Sequence, residues 1–178
     1  PVTSGKTKID YFIGGKDVEP RDNSKQHFEE TLVLMPGLGV EPIRPDYTPT
    51  FPMLSEEPIE IGLSWGEMKF TYPHLERLKA IQQATNKRIR YCVLGISPTR
   101  FTYLTAKRDL EDFFGKEQVH VLPTLDNDDY MRALEKCHLL LDSYPFGSYN
   151  RVVDGLLCKK PLITLEGEKS YQRFAAAL

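Results

Sequence analysis

The chain has 178 residues, of which 40% are hydrophobic and 27% charged, and a net charge of −2. That composition fits a soluble globular protein long enough to bury a core, and it gives no electrostatic reason to expect nucleic-acid or membrane binding. No apolar run approaches the roughly 18 residues of a membrane span. Cys92, Cys137 and Cys158 lack metal-ligand spacing. Cys92 and Cys137 sit in or beside apolar runs and read as free core thiols, which implies a reducing compartment, the cytoplasm. The chain opens on Pro1 without Met and ends within an apolar helical pattern, so a fragment is expected at both ends.

The first 58 residues differ from the rest and hold eight of the 13 prolines, most of them between Pro36 and Pro58. Proline fixes φ and removes a backbone donor, so that stretch predicts an extended crossing segment. Before it the pattern predicts a strand over 8–13 and a helix over 24–34. From Ile59 onward, five short apolar runs alternate with five helical patterns. Strands are expected over 59–64, 88–94, 119–122, 138–141 and 161–165. Helices are expected over 73–85, 97–114, 127–136 (capped by Asp126 or Asn127), 149–158 and 168–178. This alternation predicts an α/β fold with a doubly wound parallel sheet. Ligands of such sheets bind beyond the carboxyl ends of the strands.

The most informative of those ends is Asp142-Ser-Tyr-Pro-Phe-Gly-Ser-Tyr-Asn-Arg151, which runs into the helix carrying Asp154. An uncapped helix start there would hold an anion, most naturally a pyrophosphate. The competing reading is an ordinary turn capped by Ser148 or Asn150. Lys69 follows the first strand, within Trp-Gly-Glu-Met-Lys-Phe. It can reach a phosphate as a point charge, although a solvated surface lysine is the stronger reading from the residues alone. Leu125 and Tyr130 flank the loop after 119–122. Tyr130 offers a face to a nucleobase, with a core-edge tyrosine as the stronger alternative. The four histidines show no ligand spacing, so no metal is expected. No Walker loop, Gly-x-Gly-x-x-Gly or Gly-x-Ser-x-Gly pattern occurs.

Pro1-Val-Thr-Ser-Gly5 followed by Ile9-Asp-Tyr-Phe-Ile13 resembles a segment of the O-linked N-acetylglucosamine transferase family, which includes the bacterial adhesin N-glucosyltransferases. The later pieces fall in the same order: Glu30-Thr-Leu-Val-Leu-Met-Pro36, Lys69 after a strand, Val119-His-Val-Leu-Pro123, Asp142-Ser-Tyr-Pro-Phe-Gly147, Asp154-Gly-Leu, Pro161-Leu-Ile-Thr-Leu-x-Gly167 and Arg173-Phe-Ala-Ala. The resemblance implies a GT-B fold of two Rossmann-like lobes. Residues 1–58 would be the end of the first lobe and the crossover. Residues 59–178 would be most of the UDP-sugar lobe, truncated at its end.

The implied activity is inverting, metal-independent transfer of GlcNAc or glucose from a UDP-sugar to a protein side chain, with no cofactor. A histidine on the acceptor side would lie outside this chain, so the chain alone is expected to fold but not to turn over. Carried over by position, Lys69 matches the lysine on the donor diphosphate. Tyr149, Asn150 and Arg151 match the helix-start residues beside the phosphates, and Asp154 matches the ribose carboxylate. Leu125 matches the position whose backbone reads uracil. Asn127 and Tyr130 match positions near ribose and base. Pro1, Thr3 and Ser4 match the loop facing the sugar. The chain departs from the animal enzymes at Tyr130 and Tyr149, where they have histidine, at Arg151, where they have threonine, and at Gly66, where they have glutamine. Two other readings stand beside this one: a nucleotide-binding scaffold of the same fold without transfer, and a UDP-sugar epimerase of GT-B fold.

Overall fold

The computed structural model describes residues 3–20, 22, 24–97 and 99–178. In chain order the strands are β1 (Tyr11–Gly15), β2 (Thr31–Met35), β3 (Ile59–Leu63), β4 (Ile89–Val93), β5 (Val119–Val121), β6 (Leu139–Leu141) and β7 (Leu162–Ile163). The α-helices are α1 (Tyr72–Gln83), α2 (Arg100–Phe114), α3 (Asn127–Glu135), α4 (Asn150–Leu157) and α5 (Phe174–Ala177). β3 to β7 form one parallel sheet of order β5-β4-β3-β6-β7. This is the doubly wound α/β architecture expected from the alternation of apolar runs.

Side chains alternate across the strands, so each face of the sheet builds its own core. Ile61, Leu63, Tyr91, Val93, Val119 and Val121 face α1 and α2, meeting Leu78, Leu110 and Phe114. Cys92, Leu94 and Leu140 face α3 and α4, meeting Tyr130, Met131, Leu134 and Cys158. Gly62 is required here, because a Cβ on it would stand 2.4 Å from Leu140 Cδ2. Cys92 and Cys137 are buried and free, as read, and so is Cys158. Among the described residues no helix is long and apolar enough to cross a membrane. The chain runs from β3 outward to β5, then returns to place β6 on the other side of β3. The topological switch point therefore lies between β3 and β6, where such sheets leave a crevice beyond the strand ends.

Two expectations about local structure are corrected. The helix over 24–34 is instead a 3₁₀ turn, Ser24–His27, followed by β2. β2 pairs in parallel with β1, register Tyr11↔Thr31 to Gly15↔Met35, and that pairing overrides the local helical pattern. The same pairing carries β1 on through Gly14 and Gly15. A Cβ on Gly15 would lie 2.0 Å from the Leu38 carbonyl oxygen, so the glycine permits a backbone approach no other residue allows. The terminal helix over 168–178 is also broken, into a 3₁₀ turn Ser170–Gln172 and the short α5. The Tyr171 carbonyl accepts from the Gly147 N–H at 3.1 Å instead of continuing a helical ladder. Arg173 Nε donates to the Val18 carbonyl at 3.0 Å, which draws the chain toward the β1–β2 unit.

The proline-rich segment between β2 and β3 contains neither helix nor strand. It is fixed by one carboxylate at the end of α3. Glu135 is 1% exposed and accepts from Tyr47 Oη at 2.7 Å, Thr50 N at 2.6 Å, Thr50 Oγ1 at 2.9 Å and Phe51 N at 2.7 Å. Burial alone would raise its pKa. The hydrogen bonds from Tyr47, Phe51 and Thr50 outweigh burial and hold it below the ordinary carboxylate range. Glu135→Ala leaves several donors unpaired and is expected to cost about 2–4 kcal/mol of stability. A depressed carboxylate pKa contributes stability that is full above the unfolded value near 4.5 and lost as pH falls through the lower folded value. Urea melts between pH 7 and pH 3 should therefore show an acid-side loss that Glu135→Gln reduces.

Candidate functional site

The site is built at the switch point. β6 ends in Asp142, whose Oδ1 accepts from the backbone N–H of Ser143 and of Ser148, both at 2.9 Å. Its Oδ2 accepts from Thr164 Oγ1 at 3.2 Å, at the end of β7. Gly147 lies inside this turn, and a Cβ there would stand 3.0 Å from Asp142 Oδ2. Ser143 Oγ donates to the Phe146 carbonyl at 2.8 Å, and Phe146 stacks on Tyr171 with centroids 5.6 Å apart. The turn is thus closed on itself and held from the C-terminal side.

No side chain caps α4; Tyr149 at its N-cap makes no capping hydrogen bond. The expected alternative of a Ser148 or Asn150 cap does not occur. Ser148 is engaged elsewhere, because its Oγ accepts from Lys69 Nζ at 3.2 Å. Lys69 Nζ also donates to Ser143 Oγ at 2.8 Å and lies 5.5 Å from the Phe146 ring centroid. Lys69 is therefore half-buried at the mouth of the uncapped helix and is not the free surface lysine that the residues alone favoured. A 3₁₀ turn, Glu67–Lys69, aims it there. Burial lowers the Lys69 pKa; the Asp142 carboxylate opposes that and the Arg151 cation adds to it.

Beside it, a cavity of about 200 Å³ opens at the ends of β4 and β5, lined by Gly95, Ile96, Pro123, Thr124, Leu125, Tyr130 and Arg151. Tyr130 is buried, and its hydroxyl and Ser64 Oγ lie 2.9 Å apart. Its pKa is raised by burial, against the Arg151 and Ser64 hydrogen bonds. Asp154 is half-buried below this pair. Burial raises its pKa, with Arg151 and the Tyr130 hydroxyl pulling the other way.

The structure thus brings Lys69, Leu125, Tyr130, Arg151 and Asp154 together. Asn127 and Asn150 are exposed, at the first positions of α3 and α4. Tyr149 turns its ring edge to Phe174 at 5.5 Å, and its hydroxyl is buried without a partner among the described residues. Pro1 lies outside the described residues. Thr3 and Ser4 belong to a different cluster. Both hydroxyls donate to Glu30, Thr3 at 2.7 Å, and the Ser4 N–H does so at 2.8 Å. The bonds from Ser4, against burial, and from Thr3 hold the Glu30 carboxyl at about 2. His27 Nε2 lies 2.7 Å from Lys169 Nζ, beside a cavity of about 650 Å³ lined by Asp22, His27, Glu168 and Arg173. The sequence assigns Asp142 and Ser143 no role of their own, offers Ser148 only as a cap, and does not point to Ser64. A strand-end aspartate followed by serine and glycine carried a signal for the turn but none for its partner lysine.

No family model matches the chain. Two curated proteins of Actinobacillus pleuropneumoniae, from serotype 5b (strain L20) and serotype 7 (strain AP76), are each 25% identical over 163 residues, covering 86% of this chain and 25% of theirs. Both are named UDP-glucose:protein N-beta-glucosyltransferase. A solved structure of a mutant Thermobaculum terrenum O-GlcNAc transferase superposes with a TM-score of 0.81 at 20% identity, over 99% of this chain and 34% of that one. The fold is therefore the GT-B type expected. The resemblance read from the sequence is met by these protein glycosyltransferases. The chain spans about a quarter of the length of the curated relatives it matches.

Asp142→Ala removes three hydrogen-bond acceptor contacts from the turn at once. It is expected to lower stability by about 1–3 kcal/mol, because buried N–H groups lose their acceptor. Proteolysis should then cut the 143–149 loop sooner than in the wild type. Unchanged melting and unchanged cleavage would show that the turn does not depend on Asp142.

Proposed function

We propose that this chain is the C-terminal part of the catalytic region of a cytoplasmic, UDP-sugar-dependent protein glycosyltransferase. The donor is UDP-GlcNAc or UDP-glucose and the acceptor a protein side chain. The observation that carries the reading is the half-buried Lys69 ammonium at the mouth of the uncapped α4. Fixed ammonium and unpaired helix N–H groups meet at the mouth of α4, with the Arg151 cation within electrostatic reach, and a diphosphate is the ligand whose charge and size match them. The relatives' names supply the sugar nucleotide and the protein acceptor.

The transfer we propose is inverting and needs neither metal nor cofactor. The acceptor atom bonds to the anomeric carbon from one face while the bond to the β-phosphate oxygen breaks on the other. The leaving UDP takes the electron pair, and its growing charge falls on Lys69 and the first turn of α4. Groups already ordered before the reaction stabilise that charge without reorganisation. The acceptor's proton goes to a base supplied outside this chain. The cavity at Leu125 and Tyr130 takes the uracil, and Asp154 is directed at the ribose.

Lys69→Ala in the full-length protein is expected to lower kcat by about 100-fold or more while donor affinity falls much less. Initial rates against UDP-sugar concentration, with melting curves alongside, make the test. Wild-type kcat in a folded variant contradicts the assignment. A second expectation concerns the base. UDP should raise the melting temperature while ADP and GDP do not, because a small cavity built on one hydrogen-bonding edge rejects the others. Equal stabilisation by ADP contradicts the uridine site.

A further inference from the structure

Arg151 is the second residue of α4, and its guanidinium lies over an aromatic ring. Its Cζ lies 4.7 Å from the centroid of the Tyr130 ring. Gly95 is near enough that a Cβ there would touch Arg151 Nη2 at 3.6 Å. Tyr130 cannot turn away, since it is buried and its hydroxyl is held at Ser64. The aromatic face in the 200 Å³ cavity is therefore covered by the protein's own cation. A planar guanidinium and a planar base compete for the same face. Arg151 is also within electrostatic reach of Lys69, and the two like charges repel. An anion placed between them turns that repulsion into shared attraction.

We propose that Arg151 makes this site demand phosphates: the guanidinium must leave Tyr130 before a base can stack there, and a diphosphate is what it leaves for. The inference rests on the nucleotide site proposed above and adds a specificity-determining residue to it. A free nucleoside has to displace the guanidinium with nothing gained in exchange. A nucleoside diphosphate offsets the displacement with a charge-assisted, bidentate contact. The site thereby rejects unphosphorylated nucleosides, which carry the same base.

The test is calorimetric titration of uridine and of UDP into the full-length protein, as wild type, Arg151→Ala and Arg151→Lys. Removing the guanidinium should tighten uridine binding by about 2- to 30-fold, the range set by a cation–π contact. The ratio of uridine Kd to UDP Kd should fall about tenfold or more, through loss of a charged hydrogen bond. Arg151→Lys keeps a cation without the planar stack, so it should tighten uridine at least twofold and retain most of the preference for UDP. It decides the matter if the alanine variant melts. Unchanged or weaker uridine binding by folded variants overturns the proposal, since Arg151 is then only a wall of the cavity. An unchanged ratio overturns it too, since no phosphate contact existed. A wild type that binds neither ligand overturns the nucleotide site itself, a failure distinct from the other two.

Discussion

Asp142 is the point on which the site depends. One carboxylate at the end of β6 takes two backbone N–H groups of the following turn and the Thr164 hydroxyl at the end of β7. It fixes the turn as a ring, so that Ser143 and Ser148 both face Lys69. It also leaves α4 starting without a side-chain cap. The same negative charge favours the protonated form of Lys69, against the lowering of its pKa by burial. Geometry and charge at the mouth of α4 thus have one origin, and the parallel sheet supplies the place, because β3 and β6 are neighbours on either side of the switch point.

The second constraint acts at a distance. The segment between β2 and β3 has no sheet or helix bonds of its own, and Glu135 gives it four. The Lys160 ammonium donates to the backbone carbonyl of the same residue, so the end of α3, the entry to β7 and the crossing segment meet at one place. The β1–β2 unit is tied from the other side, through Arg173 to Val18 and Lys169 to His27. The crossing segment is thus held at Tyr47, Thr50 and Phe51, and the β1–β2 unit at Val18 and His27.

Much of this was legible in the sequence, for physical reasons. Runs such as Ile59–Leu63 and Ile89–Val93 are short and mostly apolar, and their alternation with helical patterns points to a parallel sheet. Of the two caps expected for α3, Asp126 and Asn127, Asp126 is the cap, accepting from Asp129 N at 2.8 Å. Residues 24–34 misled because their apolar spacing suits a helix, while the deciding contact is with β1, about twenty residues away. The terminal helix misled in the same way, since Gly147 takes the Tyr171 carbonyl from a distant loop. Lys69 could not be told from a surface lysine, because its partners lie more than seventy residues further on. The resemblance supplied its position. Only the folded chain shows Arg151 lying on Tyr130.

In the function proposed, a diphosphate sits between Lys69 and the first turn of α4. The most direct measurement is a crystal structure of the full-length protein with UDP bound. The account predicts phosphate oxygens within about 3 Å of Lys69 Nζ and of the backbone N–H groups of Asn150 and Arg151, the normal reach of a charge-assisted hydrogen bond. UDP bound elsewhere, or bound here with the Lys69 ammonium still wholly engaged by Ser143 and Ser148, would contradict it.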